Sequence, residues 1–341
     1  MKSWVLTAPQ TFEFLEEEFR SVDRADLAKI KLEACMVSAT DLRVYSGILS
    51  GVSYPIVPGR QGVGVVSEVS DDNECCFEKG DRVVVDPFMP CGSCLNCKTN
   101  KSGLCAYNKT LGLNTNGLFT DFKTLKCTML HKIPEHVSNE TALFTEYAAI
   151  ALSIIDKISI LEGEHVAIFS ACKLGFVLAQ IVSYYQAIPI IIEADEAQLA
   201  ILSNCQIGIV INPKVTDLNQ AIKETTGGRK CEKVVYIANP DTNLNDAINC
   251  CGFSGSLCIS GVSAVPPNSG DFTEVQRKQL TVTCVANGHK NFPSAINLLA
   301  TKTIKHLPIV TQKLSFNEIP EVFKELNRFK ARYCGTKVII D

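Results

Sequence analysis

VAIFSACKLGFVLAQIVSYYQAIPIIIE, residues 166–193, is the stretch that decides the fold. VAIF (166–169) is a short apolar run, and SACKLG (170–175) is a turn closed by glycine. From Leu174 the apolar positions 174, 177, 178, 181, 182 and 185 recur at helical spacing, and IPIII (188–192) ends in Glu193. Strand, tight turn, amphipathic helix, second strand and terminal carboxylate are the parts of a dinucleotide-binding βαβ unit. Glycine in such a turn lets the backbone approach a pyrophosphate, and the helix N-terminus supplies unpaired N–H groups and positive dipole. The acid accepts hydrogen bonds from the adenosine ribose. Here Ser170 and Cys172 fill the first two places of G-x-G-x-x-G, and only Gly175 remains. Taken alone, the stretch reads equally as a buried βαβ unit that holds no nucleotide.

The surrounding sequence extends the pattern. Strand candidates at 166–169, 188–192, 207–211, 233–237, 256–260 and 280–285 alternate with helix candidates at 174–185, 196–203, 217–225 and 242–250. Such alternation predicts a parallel sheet with helices on both faces. Pro189 is tolerable only near the start of its strand. Before Ile150 the chain is made of short strand-like segments, among them 28–37, 62–69 and 82–85, between Gly, Pro and Asp punctuation. From about 290, helical patterns at 292–300 and 316–329 lead to a closing strand at 337–340.

A chain of 341 residues accommodates about two domains. Its net charge is −3 and no basic stripe appears, which argues against nucleic acid. No apolar run approaches the roughly 18–20 residues that span a bilayer, so no membrane partner is expected. The N-terminus turns acidic where a signal peptide would be apolar. Sixteen cysteines spread through a large chain are read as reduced thiols of a cytoplasmic protein, apart from one cluster. The adjacent pairs Cys75–Cys76 and Cys250–Cys251 are read as filler or core.

That cluster is Cys91, Cys94, Cys97 and Cys105, spaced C-x2-C-x2-C-x7-C, with Gly92 and Gly103 supplying turns. Four thiolates complete a tetrahedral zinc shell with no open position, so the ion would staple the loop and take no part in chemistry. The last spacing, with no proline after it, argues against an iron–sulfur cluster.

Nearly end to end, the chain resembles the zinc-type medium-chain dehydrogenase/reductases, the alcohol, polyol and threonine dehydrogenase group. Ser38-Ala39-Thr40-Asp41-Leu42 is similar to that family's C-G-T-D-L, Pro58-Gly59-Arg60-Gln61-Gly62 to its P-G-H-E-G, and Gly80-Asp81-Arg82-Val83 to its G-D-R-V turn. The cysteine loop resembles its structural-zinc lobe, and Thr145-Glu146-Tyr147-Ala148 falls at its zinc-associated segment. Late landmarks, Arg277-Lys278-Gln279-Leu280 and Gly288-His289-Lys290-Asn291-Phe292, follow in order. The resemblance implies an α/β fold, a Rossmann doubly wound parallel sheet plus a GroES-like β-barrel catalytic domain. The implied domains are a catalytic domain at 1–153 with a zinc lobe at 91–105, a dinucleotide-binding domain at 154–289, and a segment at 290–341 that returns to the catalytic domain.

The departures from the family pattern bear on chemistry. Ser38 stands at the catalytic-zinc cysteine, Arg60 at the histidine and Gln61 at the neighbouring glutamate; Glu146 and Thr40 keep family-like chemistry. A hydroxyl is a poor zinc ligand, and a guanidinium has no free lone pair. One structural zinc per chain and no catalytic zinc are therefore expected. Arg60 then either polarises a substrate carbonyl or carboxylate, or is simply neutralised by Glu146. Thr40 is either a proton-relay hydroxyl or an ordinary barrel hydroxyl. The candidate catalytic set is thus Ser38, Thr40, Arg60, Gln61 and Glu146.

The candidate cofactor set is Ser170, Cys172, Lys173, Leu174, Gly175, Glu193, Ala238 and Gly261. Glu193 favours NAD(H) over NADP(H), because a carboxylate repels a 2′-phosphate. Lys173 either meets the phosphates or is an exposed loop lysine. His131, His136, His165, His289 and His306 fall at strand ends or loops without ligand-like spacing. The expected activity is hydride transfer between nicotinamide and a small alcohol/carbonyl pair or activated alkene. The alternative is a catalytically silent binding or scaffold protein on the same fold. By analogy with the family, the assembly is a homodimer or homotetramer.

Overall fold

The computed structural model describes residues 1–18, 21–70, 75–238, 242–261, 270–304, 312–329 and 336–339. It contains two compact units. One comprises Met1–Glu146, Phe292–Ala300 and the described residues of the C-terminal segment; the other comprises Tyr147–Asn291 and the short described stretch after Ala300.

In the first unit, β1 (Lys2–Ala8) and β2 (Thr11–Glu16) form an antiparallel hairpin. The main sheet is laid around β3 (Leu27–Val37), which pairs with β4 (Gln61–Val69). Next in line is β5 (Arg82–Val85), while the short β6 (Phe88–Met89) and β7 (Lys109–Thr110) bracket the cysteine loop. β8 (Phe122–Lys126) takes the other side of β3, and β9 (Leu130–Lys132) pairs with β5. Where β3 and β4 cross most closely, a Cβ on Gly64 would lie 2.1 Å from the Lys31 carbonyl oxygen, so only glycine fits. The core of this unit gathers Leu6, Ile30, Leu32, Leu118, Phe119 and Phe323, all fully buried.

The second unit holds β10 (His165–Phe169), β11 (Ile188–Ile192), β12 (Ile209–Ile211), β13 (Cys231–Ile237), β14 (Cys251–Ser260) and β15 (Thr281–Val285). All pair in parallel, in the order β12-β11-β10-β13-β14-β15. This is a doubly wound sheet whose order reverses beside β10, the position where such sheets bind ligands at the strands' carboxyl ends. Every residue of β10 is buried, as a central parallel strand covered on both faces requires. Pro189, second in β11, precedes the first pairing with β12 at Ile190↔Ile209, so its missing N–H breaks no ladder there. Helices Lys173–Tyr184, Glu196–Cys205, Leu218–Thr225 and Leu244–Cys250 fall where the 3.6-residue pattern predicts them, within two residues at each end.

The chain then returns to the first unit. Helix Phe292–Ala300 and helix Ile319–Phe329 flank β16 (Gln312–Ser315), and β17 (Thr336–Ile339) enters the main sheet between β16 and β3. Residue 340, expected to end this strand, lies outside the described residues, as does His306. Among the described residues, no helix is long and apolar enough to cross a membrane.

Three expectations are corrected. Cys75 is not a filler thiol: it forms a disulfide with Cys127, Cα to Cα 5.8 Å, tying residues 52 apart in sequence. Spacing revealed nothing here, because the partners meet only once β8 has returned alongside β3. Lys173 is not an exposed loop lysine but the first residue of its helix and buried. His131 lies within β9, its ring stacked on Phe292 at 5.1 Å.

A Cβ on Gly175 would sit 1.9 Å from the Ser170 carbonyl oxygen, so the surviving glycine is what lets the helix close onto β10. Gly175→Ala is expected to destabilise the protein by about 1–3 kcal/mol, the usual range for overpacking, in denaturant unfolding. An unchanged midpoint would show that the helix can move away freely.

Candidate functional site

Two clusters, one in each unit, and a cysteine knot bring the candidate residues together. In the second unit, Ser170–Gly175 leaves the carboxyl end of β10 and enters the helix Lys173–Tyr184. Ser170 has φ 95°, the left-handed backbone that glycine normally supplies. Its N–H donates to the Ile192 carbonyl at 3.0 Å, and its Oγ accepts from the Cys172 N–H at 3.2 Å. The turn therefore keeps a glycine-like path with a serine in it. Cys172 is the N-cap residue and makes no side-chain cap hydrogen bond, so no side-chain oxygen of the cap claims the helix's first-turn N–H groups.

Glu193, at the end of β11, is buried. One oxygen accepts from the Ala171 N–H at 2.7 Å, the other from the Ala194 and Asp195 N–H groups at 2.8 Å each. The carboxylate thereby holds the turn to the end of the neighbouring strand. Ala238 follows β13 and donates its N–H to the Ser260 carbonyl at 2.9 Å, and Gly261, φ 84°, follows β14. The predicted cofactor set thus lies at the carboxyl ends of β10, β11, β13 and β14 and in the helix that follows β10.

In the first unit, Ser38 caps helix Ala39–Ser46 in a reciprocal box with Asp41. The Asp41 carboxylate accepts from the Ser38 N–H (2.7 Å) and hydroxyl (2.6 Å), and the Asp41 N–H donates back to Oγ. The other Asp41 oxygen accepts from the Gly59 N–H at 3.0 Å. Burial pushes the Asp41 carboxyl up from its ordinary range, while the Ser38 hydrogen bonds and the nearby Arg60 charge pull it down. Arg60 Nη2 meets Glu146 Oε1 at 2.6 Å, and Gln61 Nε2 donates to Glu146 Oε2 at 2.8 Å. Gln61 Oε1 is buried and, among the described residues, accepts no hydrogen bond. Thr40 is in the first turn of helix Ala39–Ser46, half-buried, and no hydrogen bond ties its hydroxyl to this network.

This arrangement does not suit a divalent ion. The Ser38 hydroxyl is committed to Asp41, both Glu146 oxygens are taken by nitrogen donors, and Arg60 brings a permanent positive charge. The cysteine knot differs. Its four Sγ atoms lie within 4.8 Å of one another, the one group of this kind among the described residues. Cys91–Cys97, Cys94–Cys97 and Cys94–Cys105 separations are 3.9, 3.5 and 3.9 Å. A tetrahedron with zinc–sulfur bonds of about 2.3 Å has edges of about 3.8 Å, so the cage already matches the ion. The Ser93 hydroxyl, with backbone N–H groups, lowers the Cys91 thiol to about 6. Burial and the Cys94 thiol push Cys97 up to about 12, an uneven sharing of protons that a bound cation would abolish.

Two family models match the sequence: the alcohol dehydrogenase GroES-like domain over residues 24–135 and the zinc-binding dehydrogenase over 174–301. The chain belongs to the zinc-binding dehydrogenase family. A Haemophilus influenzae zinc-type alcohol dehydrogenase-like protein is 27% identical over 308 residues, 89% of each chain. Sorbitol dehydrogenase of Halalkalibacterium halodurans is 24% identical over 336 residues, 97% of each. Among solved structures, the Escherichia coli CFT073 alcohol dehydrogenase rspB, complexed with NADH, superposes with TM-score 0.88 at 22% identity, covering 100% of this chain and 98% of that one. The fold is thus that of the zinc-binding dehydrogenases, and the chain is an oxidoreductase of dehydrogenase type.

With side chains only 14% and 10% exposed, the Arg60–Glu146 pair is nearly desolvated. Arg60→Met strands the carboxylate, and about 3 kcal/mol of folding stability should be lost, at the low end for breaking a buried pair. Denaturant titration checks this; a loss below about 0.5 kcal/mol would place the pair with weak, solvated ones.

Proposed function

We propose that this dehydrogenase uses NAD(H) to move a hydride between nicotinamide and a small alcohol/carbonyl pair, holding zinc at the cysteine knot alone. One observation carries the reading: Arg60 and Gln61 each donate a hydrogen bond to Glu146, all three being residues that resemblance to the family assigns to the catalytic-zinc region. A cation is present at the site, but it is a guanidinium.

The residues around the turn suit a dinucleotide. First-turn N–H groups that the N-cap side chain leaves alone suit a pyrophosphate, and the buried Lys173 adds positive charge at the same helix end. A carboxylate has about four lone-pair sites, so Glu193 retains acceptor capacity for ribose hydroxyls while gripping the turn. Its charge opposes a 2′-phosphate, which supports NAD(H) over NADP(H). When bound, the nicotinamide supplies the hydride donor or acceptor. On the substrate side, the buried Gln61 Oε1 is an acceptor that a substrate hydroxyl would satisfy, since leaving it unpaired costs about 1–3 kcal/mol. Arg60 supplies positive potential where charge develops on the substrate oxygen. Without a Lewis-acid metal the reaction loses several kcal/mol of transition-state stabilisation, which favours an activated substrate over a simple alcohol.

A silent binding protein on the same fold is the second reading, favoured by Ser38 and Glu146 being paired with protein groups. Metal analysis and cofactor titration test both readings. One zinc per chain, NADH binding by fluorescence and turnover on a polyol panel are expected. Two zincs per chain would overturn the ligand argument. Failure to bind NADH at millimolar concentration would overturn the dehydrogenase, and binding without turnover would support the silent reading. Chelation of the single zinc should lower the melting temperature without removing NADH binding.

A further inference from the structure

Lys123 stands apart from both clusters. It lies on β8 opposite Ile30 of β3, and its half-buried side chain lines two neighbouring cavities in the first unit. The larger, of about 460 Å3, is walled by Met1, Glu17, Glu18, Lys29, Phe122 and Thr124. The smaller, of about 170 Å3, shares Met1 and Glu17 and reaches Asn116. Other cations here are engaged: the Met1 ammonium donates to the Glu17 carbonyl at 2.7 Å, and Lys29 Nζ pairs with Glu68 at 2.6 Å. Among the described residues, the Lys123 ammonium has neither a hydrogen bond nor an ion pair. Removing an ammonium from water without a partner favours the neutral amine, which is the nucleophilic form.

We propose that Lys123 is a reactive-amine site, at which a small uncharged aldehyde condenses with Nζ to form an imine. The nitrogen lone pair attacks the carbonyl carbon and the C=O π pair moves to oxygen. A proton passes from nitrogen to that oxygen, hydroxide leaves and combines with a proton as water, and the C=N bond forms. No redox partner is needed. Glu17 and Glu18 on the wall disfavour anionic electrophiles such as acyl phosphates. Burial lowers the lysine to about 8, so a substantial neutral fraction is present near neutrality. The charged groups lining its cavities are Glu17 and Glu18 at the end of the hairpin, the Met1 ammonium, and Lys29, which Glu68 neutralises.

The full chain is treated with propionaldehyde and cyanoborohydride across a pH series, and labelled lysines are mapped by peptide mass spectrometry. Lys123 should be alkylated about tenfold faster than exposed Lys98 and Lys223 near neutrality, with a rate midpoint near its lowered value rather than in the ordinary lysine range. Lys123→Arg should remove the fast site while NADH binding persists. Labelling of Lys123 no faster than Lys98, or with an ordinary lysine midpoint, overturns the proposal. Because mapping the unsubstituted protein decides the matter, a poorly folding variant would not obscure it.

Discussion

A carboxylate that is nine-tenths withdrawn from water must be given a positive partner, and much of this site follows from how Glu146 is given one. Its side chain is 10% exposed, and the Arg60 guanidinium meets it at 2.6 Å. Desolvating either charge alone costs several kcal/mol, whereas together, with Gln61 on the second oxygen, each is satisfied. Arg60 and Gln61 are thus coherent as one set of partners for a single buried acid. Asp41 shows the same economy, since two bonds from Ser38 and one from Gly59 hold its buried carboxyl in place.

The cysteine knot obeys the opposite logic. Thiols 3.5–3.9 Å apart, with backbone N–H groups of Cys91 and Cys94 directed at sulfur, form a cage that a soft cation fits and a protein side chain does not. The two clusters therefore differ in kind: four sulfurs gathered around one point in the knot, and a carboxylate held by nitrogen donors at Glu146.

The sequence exposed periodic and closely spaced features and hid the long-range ones. Burial on both faces makes β10 and β11 continuous apolar runs, so the parallel sheet was readable from residues 166–193. The knot was equally plain, because all its ligands lie within one loop. The meeting of Arg60 with Glu146 followed only from the resemblance, since no local rule relates positions 86 apart. The Cys75–Cys127 bridge escaped altogether for the same reason. For Lys173 the sequence leaves phosphate contact and loop exposure both open, and the structure removes the second, since the residue begins a helix and is buried. Counting glycines undervalued the turn: Ser170 takes the required backbone path, at a local cost of about 1–3 kcal/mol, with its own N–H and hydroxyl in hydrogen bonds that brace it.

The insertion of β17 between β16 and β3 bears on biosynthesis. During translation, β3 emerges well before β17, its neighbour on one side, and all six strands of the parallel sheet are made between them. The parallel sheet from β10 to β15 is contiguous and has all its strands in hand before β17 is made. On the ribosome, the later-encoded sheet can therefore reach completion first, while the earlier one waits with an open edge that invites mispairing until β17 has emerged.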